Sequence, residues 1–263
     1  MVKYAVKKLY TFLIFFFLYA PILVLIVFSF NSSKSRASWD GFTLNWYVEL
    51  FRDRQIMTSL YYTLVIAVIS SLAATVMGTA AAIGIHNMKM VPKSICMNIT
   101  YLPILNPDIV TGISLMLLFI FIKIPLGFFS MLLSHITFNL PFVILSVMPK
   151  LKQLDSQIFD AAMDLGASRI YAYRKVILPQ IMSGVLTGFL LSFTMSIDDF
   201  VVSFFTTGAG VSNLAITIYS MARRGINPKI NALLTLMFIS ILLLLVIINN
   251  RMSRDVERKA SVN

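Results

Sequence analysis

Two adjacent aspartates, Asp198 and Asp199, stand in the apolar run FLLSFTMSIDDFVVSFF at 189–205, with no Lys or Arg beside them. One ionised Asp at the centre of a membrane helix costs about 2.5–3.5 kcal/mol, and two neighbours also repel each other. Carboxylates so placed must face a protein interior or a wet cavity, and the chemistry they offer there is attraction of a cation. Adjacent residues point about 100° apart on a helix, so the pair cannot share one direction. Ser192, Ser196, Asp199 and Ser203 fall into one polar stripe, whereas Asp198 shares its face with Leu191, Thr194, Val201 and Phe205. The pattern predicts that Asp199 and Ser196 face an aqueous pathway and that Asp198 lies to one side. The alternative is that both carboxylates only fasten helices together.

Asp108 is a third acid in an oily setting. In NPD at 106–108, Asn106 suits an N-cap, Pro107 the first helical position, and Asp108 the first turn, where it complements the helix dipole. Residues Ile95 to Leu105 are also apolar, and Pro103 lies one turn earlier, which puts the break at membrane depth. Irregular backbone there is tolerated where it lines a cavity or is buried in protein. In FTLNWYVELF, the residues Phe42, Trp46, Leu50 and Phe51 have helical spacing. That spacing suits a helix lying at the membrane interface; the functional alternative puts Trp46 at a pathway mouth, its indole face meeting a cation. His135 reads as a packed, hydrogen-bonded histidine. GTAAAIG at 78–84 offers small residues for close helix contact and is not a phosphate loop, because no Lys follows the second Gly. No catalytic triad or metal constellation is present in the sequence.

The elements that must position these residues follow from composition. Of 263 residues 58% are hydrophobic and only 13% charged, and mean hydropathy is +0.85. Six long apolar stretches stand out, from Leu9 to Phe30, Leu60 to Ile85, Ile95 to Ile122, Pro125 to Pro149, Ile181 to Thr207 and Ile230 to Ile248. A span of about 30 Å of hydrocarbon needs about 20 such residues, and runs this long and continuous are helices, not barrel strands. The first run is too long for a signal peptide, and no small-residue cleavage site follows it before Asn31, so it reads as an uncleaved first span.

The net charge of +11 reports orientation. With the N-terminus in the cytoplasm, the inner segments hold Lys3, Lys7, Lys8, Lys89, Lys93, Lys150, Lys152, Arg169, Arg174, Lys175, Arg251, Arg254, Arg258 and Lys259, most of the 22 basic residues. Arg223 and Arg224 sit on the outer side against the trend. The excess is thereby explained without nucleic acid as a partner. The lone Cys96 supports neither a disulfide nor a zinc site.

Two segments outside the spans are long enough for function. Residues 31–57 are expected outside the cytoplasm. Residues 150–179 are expected inside and read as two helices: Asp155 or Ser156 caps the first, Gly166 stops it in a left-handed conformation, and Ser168 starts the second, whose last turn carries Arg174 and Lys175. Ala161 and Ala162 beside Asp160 offer a small-residue surface for close docking.

DAAMDLG, nine residues, then VILP resembles the cytoplasmic EAA loop of bacterial ABC importer permeases, whose pattern is Glu-Ala-Ala, three residues, Gly, nine residues, Ile-x-Leu-Pro. Asp160, Ala161, Ala162, Gly166, Leu178 and Pro179 occupy its places, with Asp160 for Glu and Val176 for Ile. LPILNPDIVTGISL, HITFNLPFVILSV and SIDDFVVSFF are similar to the polyamine (spermidine/putrescine) importer permeases, and the likeness covers nearly the whole chain. The resemblance implies an all-α integral membrane protein with the type I importer permease fold. That means one permease domain over 1–263 with six spans, N-in and C-in, in a bacterial inner membrane. It implies that 150–179 docks on a separate ATP-hydrolysing subunit, itself a dimer that carries the ATP and Mg, and that this chain holds no cofactor. It further implies a second homologous permease subunit, an extracytoplasmic polyamine-binding protein, and a substrate path lined by Asp108, Ser196 and Asp199. Other readings remain: an importer of iron or thiamine type, an ATP-independent cation channel or secondary transporter, or a membrane scaffold.

Overall fold

Apolar runs of this length leave the backbone no partner in hydrocarbon except itself, and among the described residues the regular structure is helical apart from one bridge between Asn31 and Phe42. The computed structural model describes residues 2–34, 38–155, 157–224, 228–240 and 242–243. Ser156, Arg251, Arg254, Arg258, Lys259 and the last part of the sixth expected span lie outside the described residues. The helices are α1 (Val2–Phe28), α2 (Asn45–Arg52), α3 (Arg54–His86), α4 (Met90–Leu105), α5 (Asp108–Phe121), α6 (Phe128–Gln153), α7 (Gln157–Asp164), α8 (Arg169–Ala172), α9 (Leu178–Asp198), α10 (Val201–Thr206) and α11 (Leu214–Arg224). A shorter apolar helix, α12 (Pro228–Ser240), follows.

Among the described residues, four helices are long and apolar enough to cross a membrane: Val6–Phe28 of α1, then α3, α6, and the continuous helix Arg169–Asp198. The pair α4 and α5 passes the same test but is bent by 106°. The protein is therefore an all-α, multi-pass membrane protein.

The break expected at Asn106-Pro107 is there: Asn106 is extended (ψ 143°) before Pro107, a residue that disfavours helix at its predecessor. Two expectations change. The fifth stretch is interrupted after Asp198, so α10 is a separate short helix. The loop expected over 150–179 is shorter. Helix α6 runs to Gln153, and the helix begun at Arg169 does not end at Leu178-Pro179. A π turn over Tyr173–Ile177 carries it into α9, with the Leu178 N–H bonded to the Tyr173 carbonyl. The wider turn absorbs the donor that Pro179 lacks.

The chain divides into two compact units. In Thr58–Thr217, α6 is the central helix: Val143, Val147, Met148 and Leu151 pack with Ala74, Ala82 and Ile85 of α3 and with Ile177 and Ile181. Glycines set the spacing. A Cβ on Gly184 would stand 2.8 Å from the Ser146 carbonyl oxygen, one on Gly188 3.1 Å from Val143 Cα, and one on Gly78 2.8 Å from Val143 Cβ. Gly78 fits the close contact read from GTAAAIG. The Gly184-x-x-x-Gly188 face of α9 went unread, although small residues four apart in an apolar helix are its signal.

The other unit contains Met1–Met57 and the chain from Ile218. The Trp46 Nε1 donates to the Asn31 carbonyl at 2.7 Å, the Asn31 amide donates to the Ser38 carbonyl at 2.7 Å, and Phe30 stacks on Phe42. Lys229 pairs with Glu49 and Asp53 at 3.3 and 3.5 Å. Trp46 is thus a buried, hydrogen-bonded anchor of its segment, and not an indole face open at a pathway mouth.

Candidate functional site

The break in the fifth stretch sets the site. Asp198 is the last residue of α9, Asp199 is extended (φ −64°, ψ 121°), and α10 begins at Val201. The new helix has free N–H groups, and the Asp199 carboxylate takes two of them, accepting from Val202 at 3.2 Å and from Ser203 at 2.7 Å. Asn213 closes the other side: its amide donates to the Asp199 carbonyl at 2.9 Å and to Ser203 Oγ at 2.8 Å.

Behind the break lies a buried polar network. His135 of α6 meets Ser196 Oγ at Nδ1 (2.5 Å) and Ser203 Oγ at Nε2 (2.8 Å), with an Asp199 oxygen 3.5 Å from Nε2. Ser196 also pairs with Ser70 of α3 at 3.1 Å, and Ser192 donates to the Asn139 carbonyl at 3.5 Å. His135 is the packed histidine its setting suggested. The stripe of Ser192, Ser196 and Ser203 exists, but it points inward to α3 and α6: all three serines are buried. Ser196 is buried among these partners, while the Asp199 carboxylate turns to the N–H groups of α10.

Asp198 and Asp108 face the other way. A cavity of about 270 Å³ is lined by Pro103 and Ile104 of α4, Asp108 and Thr111 of α5, Phe138 and Phe142 of α6, and Met195, Asp198, Asp199, Phe200, Val201 and Val202. The 106° bend carries Asp108 to it. Pro107, not Asn106, occupies the N-cap place, and no side chain caps α5. Asp108 and Asp198 are exposed in this chain and accept no hydrogen bond and join no ion pair among the described residues. No Lys, Arg or His lines the cavity. Three carboxylates stand among phenylalanines with no countercharge in the lining, an arrangement whose chemistry is attraction of a cation by charge and by aromatic faces. Phe138 and Phe142 went unread in the sequence; their four-residue spacing on α6 was the available signal.

The second candidate site is the α7–α8 turn. Asp155 accepts from the Gln157 N–H at 3.0 Å and so caps α7. At the other end Gly166 has φ +85°, its N–H bonds the Met163 carbonyl at 2.9 Å, and the Ala167 N–H bonds the Ala162 carbonyl at 3.1 Å. This is the Schellman closure that a glycine permits. Ser168 caps α8 by accepting from Tyr171 N–H. No side chain of α7 is buried, Asp160 and Ala161 are exposed, and Leu165 is 90% exposed. Leu178 and Pro179 stand at the junction of the π turn with α9.

Residues 74–261 match the family described as "Binding-protein-dependent transport system inner membrane component". The chain is 42% identical over 242 residues to the spermidine/putrescine transport system permease protein PotC of Escherichia coli (strain K12), covering 92% of this chain and 91% of that one. It is 39% identical over 230 residues to the putrescine transport system permease protein PotI of the same organism, covering 84% and 82%. A chain of a solved bacterial ABC transporter involved in import of the acidic polysaccharide alginate shares the fold, with a TM-score of 0.72, 17% identity and coverage of 95% of this chain and 94% of that one.

The two adjacent aspartates differ in their work. Asp199→Ala should lower the thermal unfolding midpoint of the detergent-purified protein, because it removes a cap worth about 1–2 kcal/mol. Asp198→Ala should leave the midpoint unchanged. Equal shifts in the two variants would contradict this division.

Proposed function

The chain belongs to the family of binding-protein-dependent transport system inner membrane components, and from that membership we propose that it is the permease subunit of an ABC importer that carries polyamines, spermidine and putrescine, into the cytoplasm. It is a multi-pass inner-membrane transport subunit and not an enzyme. Its partners are a dimeric ATP-binding subunit, which holds the ATP and Mg, a second homologous permease, an extracytoplasmic polyamine-binding protein and the lipid bilayer.

The observation that carries the cargo assignment is the cavity in which Asp108, Asp198 and Asp199 meet Phe138, Phe142 and Phe200. A polyamine alternates ammonium groups with methylene segments. Carboxylates suit the first, and aromatic rings suit both. The same cavity would repel an anionic cargo. Asp108 and Asp198 are the cargo-facing charges; Asp199 contributes its field while capping α10.

The topology that fits this function has six spans, N-in and C-in: α1, α3, the bent pair α4–α5, α6, the helix Arg169–Asp198, and a last span that begins with α12. The α7–α8 turn then lies in the cytoplasm. Asp160, Ala161, Ala162 and Gly166 form the surface that seats on the ATPase, and the exposed Leu165 adds apolar area outside the spans. Leu178 and Pro179 join this surface to α9, the helix that ends in Asp198, so movement of the turn reaches the cavity along one element.

Uptake of labelled spermidine tests the cargo site. Asp198→Asn and Asp108→Asn should each raise the half-saturating concentration about ten-fold, the loss of one charged contact, at normal complex abundance. Uptake that falls only in proportion to lost complex would remove the cation site. In the same assay Gly166→Val, which opposes the left-handed turn, should leave cargo delivery intact while ATP hydrolysis no longer drives uptake; normal uptake would reduce the turn to a connector.

Orientation is tested by an impermeant thiol reagent on intact cells. Lys34→Cys should react and Lys152→Cys should not. The reverse pattern would overturn the N-in arrangement.

A further inference from the structure

Helix α5 packs mainly on α10, and a glycine sets how closely the two approach. Gly112 of α5 is buried. A Cβ added there would stand 3.0 Å from Phe205 Cδ2, 3.3 Å from Val202 Cα and 3.4 Å from the Val201 carbonyl oxygen. The ring can turn, but the other two atoms are backbone and cannot swing aside. A methyl group at this position therefore forces the helices apart by a few tenths of an ångström.

Helix α10 is the fixed member of the pair. Its Ser203 Oγ meets His135 Nε2 at 2.8 Å, and its Thr206 carbonyl accepts from Ser130 Oγ at 2.8 Å, so two hydrogen bonds hold it to α6. Helix α5 has less support, since Ile109, Val110, Leu117 and Leu118 are exposed in this chain. It takes its place from α10, across Gly112.

That contact lies just behind the two cargo-facing acids. Asp108 is four residues before Gly112, and Asp198 is four residues before Val202. Both acids line the acidic cavity, as do Val201 and Val202, whereas Gly112 and Phe205 do not. Opening the contact thus moves Asp108 away from Asp198 without placing a new group in the cavity. A diamine presents two ammonium groups whose separation follows from the methylenes between them, and the diamine that matches the carboxylate gap binds best. We propose, on the polyamine reading of this cavity, that Gly112 is a positioning residue. By the closeness it allows between α5 and α10 it sets the gap between Asp108 and Asp198, and with it the length of diamine segment that the transporter prefers.

The test is uptake of three diamines, with three, four and five methylenes, by the full transporter with its binding protein. Half-saturating concentrations are compared between wild type, Gly112→Ala, and Gly112→Ala combined with Phe205→Leu, with complex abundance measured alongside. The binding protein is the same throughout, so its own preference cancels in the comparison. A misplacement of about 1 Å costs about 100-fold where geometry is fixed, so a few tenths should shift the preference of Gly112→Ala toward the longest diamine about three-fold. Phe205→Leu gives the methyl group room on the ring side and should return the preference part of the way. A residue that only holds the fold would weaken all three diamines alike, and that result, or an unchanged preference, overturns the positioning role. If Gly112→Ala does not accumulate, the double variant is read against wild type, and the same two results decide. A wild type that carries none of the three diamines would instead remove the polyamine reading, on which the length preference depends.

Discussion

Breaking a helix inside hydrocarbon strands amides and carbonyls that water cannot reach, and each one left unpaired costs several kcal/mol. The break between Asp198 and Val201 meets that demand from within the protein. The Asp199 carboxylate takes the Val202 and Ser203 N–H groups, and Asn213 takes the Asp199 carbonyl. His135 bridges Ser196 before the break to Ser203 after it. Every partner in this set lies in the unit Thr58–Thr217.

That stitching divides α9 into two sides with different duties. Ser192 and Ser196 face inward and bind α6 and α3, as Gly184 and Gly188 do by close approach to α6. Met195 and Asp198 face the acidic cavity. The break at Asn106-Pro107 acts in parallel, since the bend after it delivers Asp108 to the same space from a different helix. Two interruptions, one satisfied by side chains and one dictated by proline, therefore bring carboxylates together at a depth where a straight helix would have kept them apart. The π turn is a third irregularity on the same path and joins the exposed α7–α8 turn to α9 without a loop.

How much of this was legible depends on whether the signal was local. Helical spans follow from apolar run length alone. Gly166 and the caps at Asp155 and Ser168 follow from the few residues around each, and the structure has them where the residue types put them. His135 was readable as a packed histidine because its setting is apolar. The capping role of Asp199 was not, because no Gly or Pro marks the break. Ser196, expected to face an aqueous pathway, is instead buried against α3 and α6, and those partners are distant in sequence. Trp46 depended on the Asn31 carbonyl, 15 positions away, which no helical spacing reveals. Leu178-Pro179 looked like a helix end because proline normally is one, and only the π turn lets the helix pass through.

Helix α9 is divided between an inward side buried against α3 and α6 and an outward side that lines the acidic cavity, where the proposed cationic cargo would bind. Thiol modification in the assembled transporter reads that division directly. With Cys96 replaced by Ser, Asp198→Cys and Ser196→Cys are treated with a cationic and an anionic methanethiosulfonate, with and without spermidine. Asp198→Cys should be modified, faster by the cationic reagent and more slowly when spermidine is present, while Ser196→Cys stays unmodified. Modification of Ser196→Cys at the rate of Asp198→Cys, or modification of Asp198→Cys with neither charge preference nor protection, would contradict it.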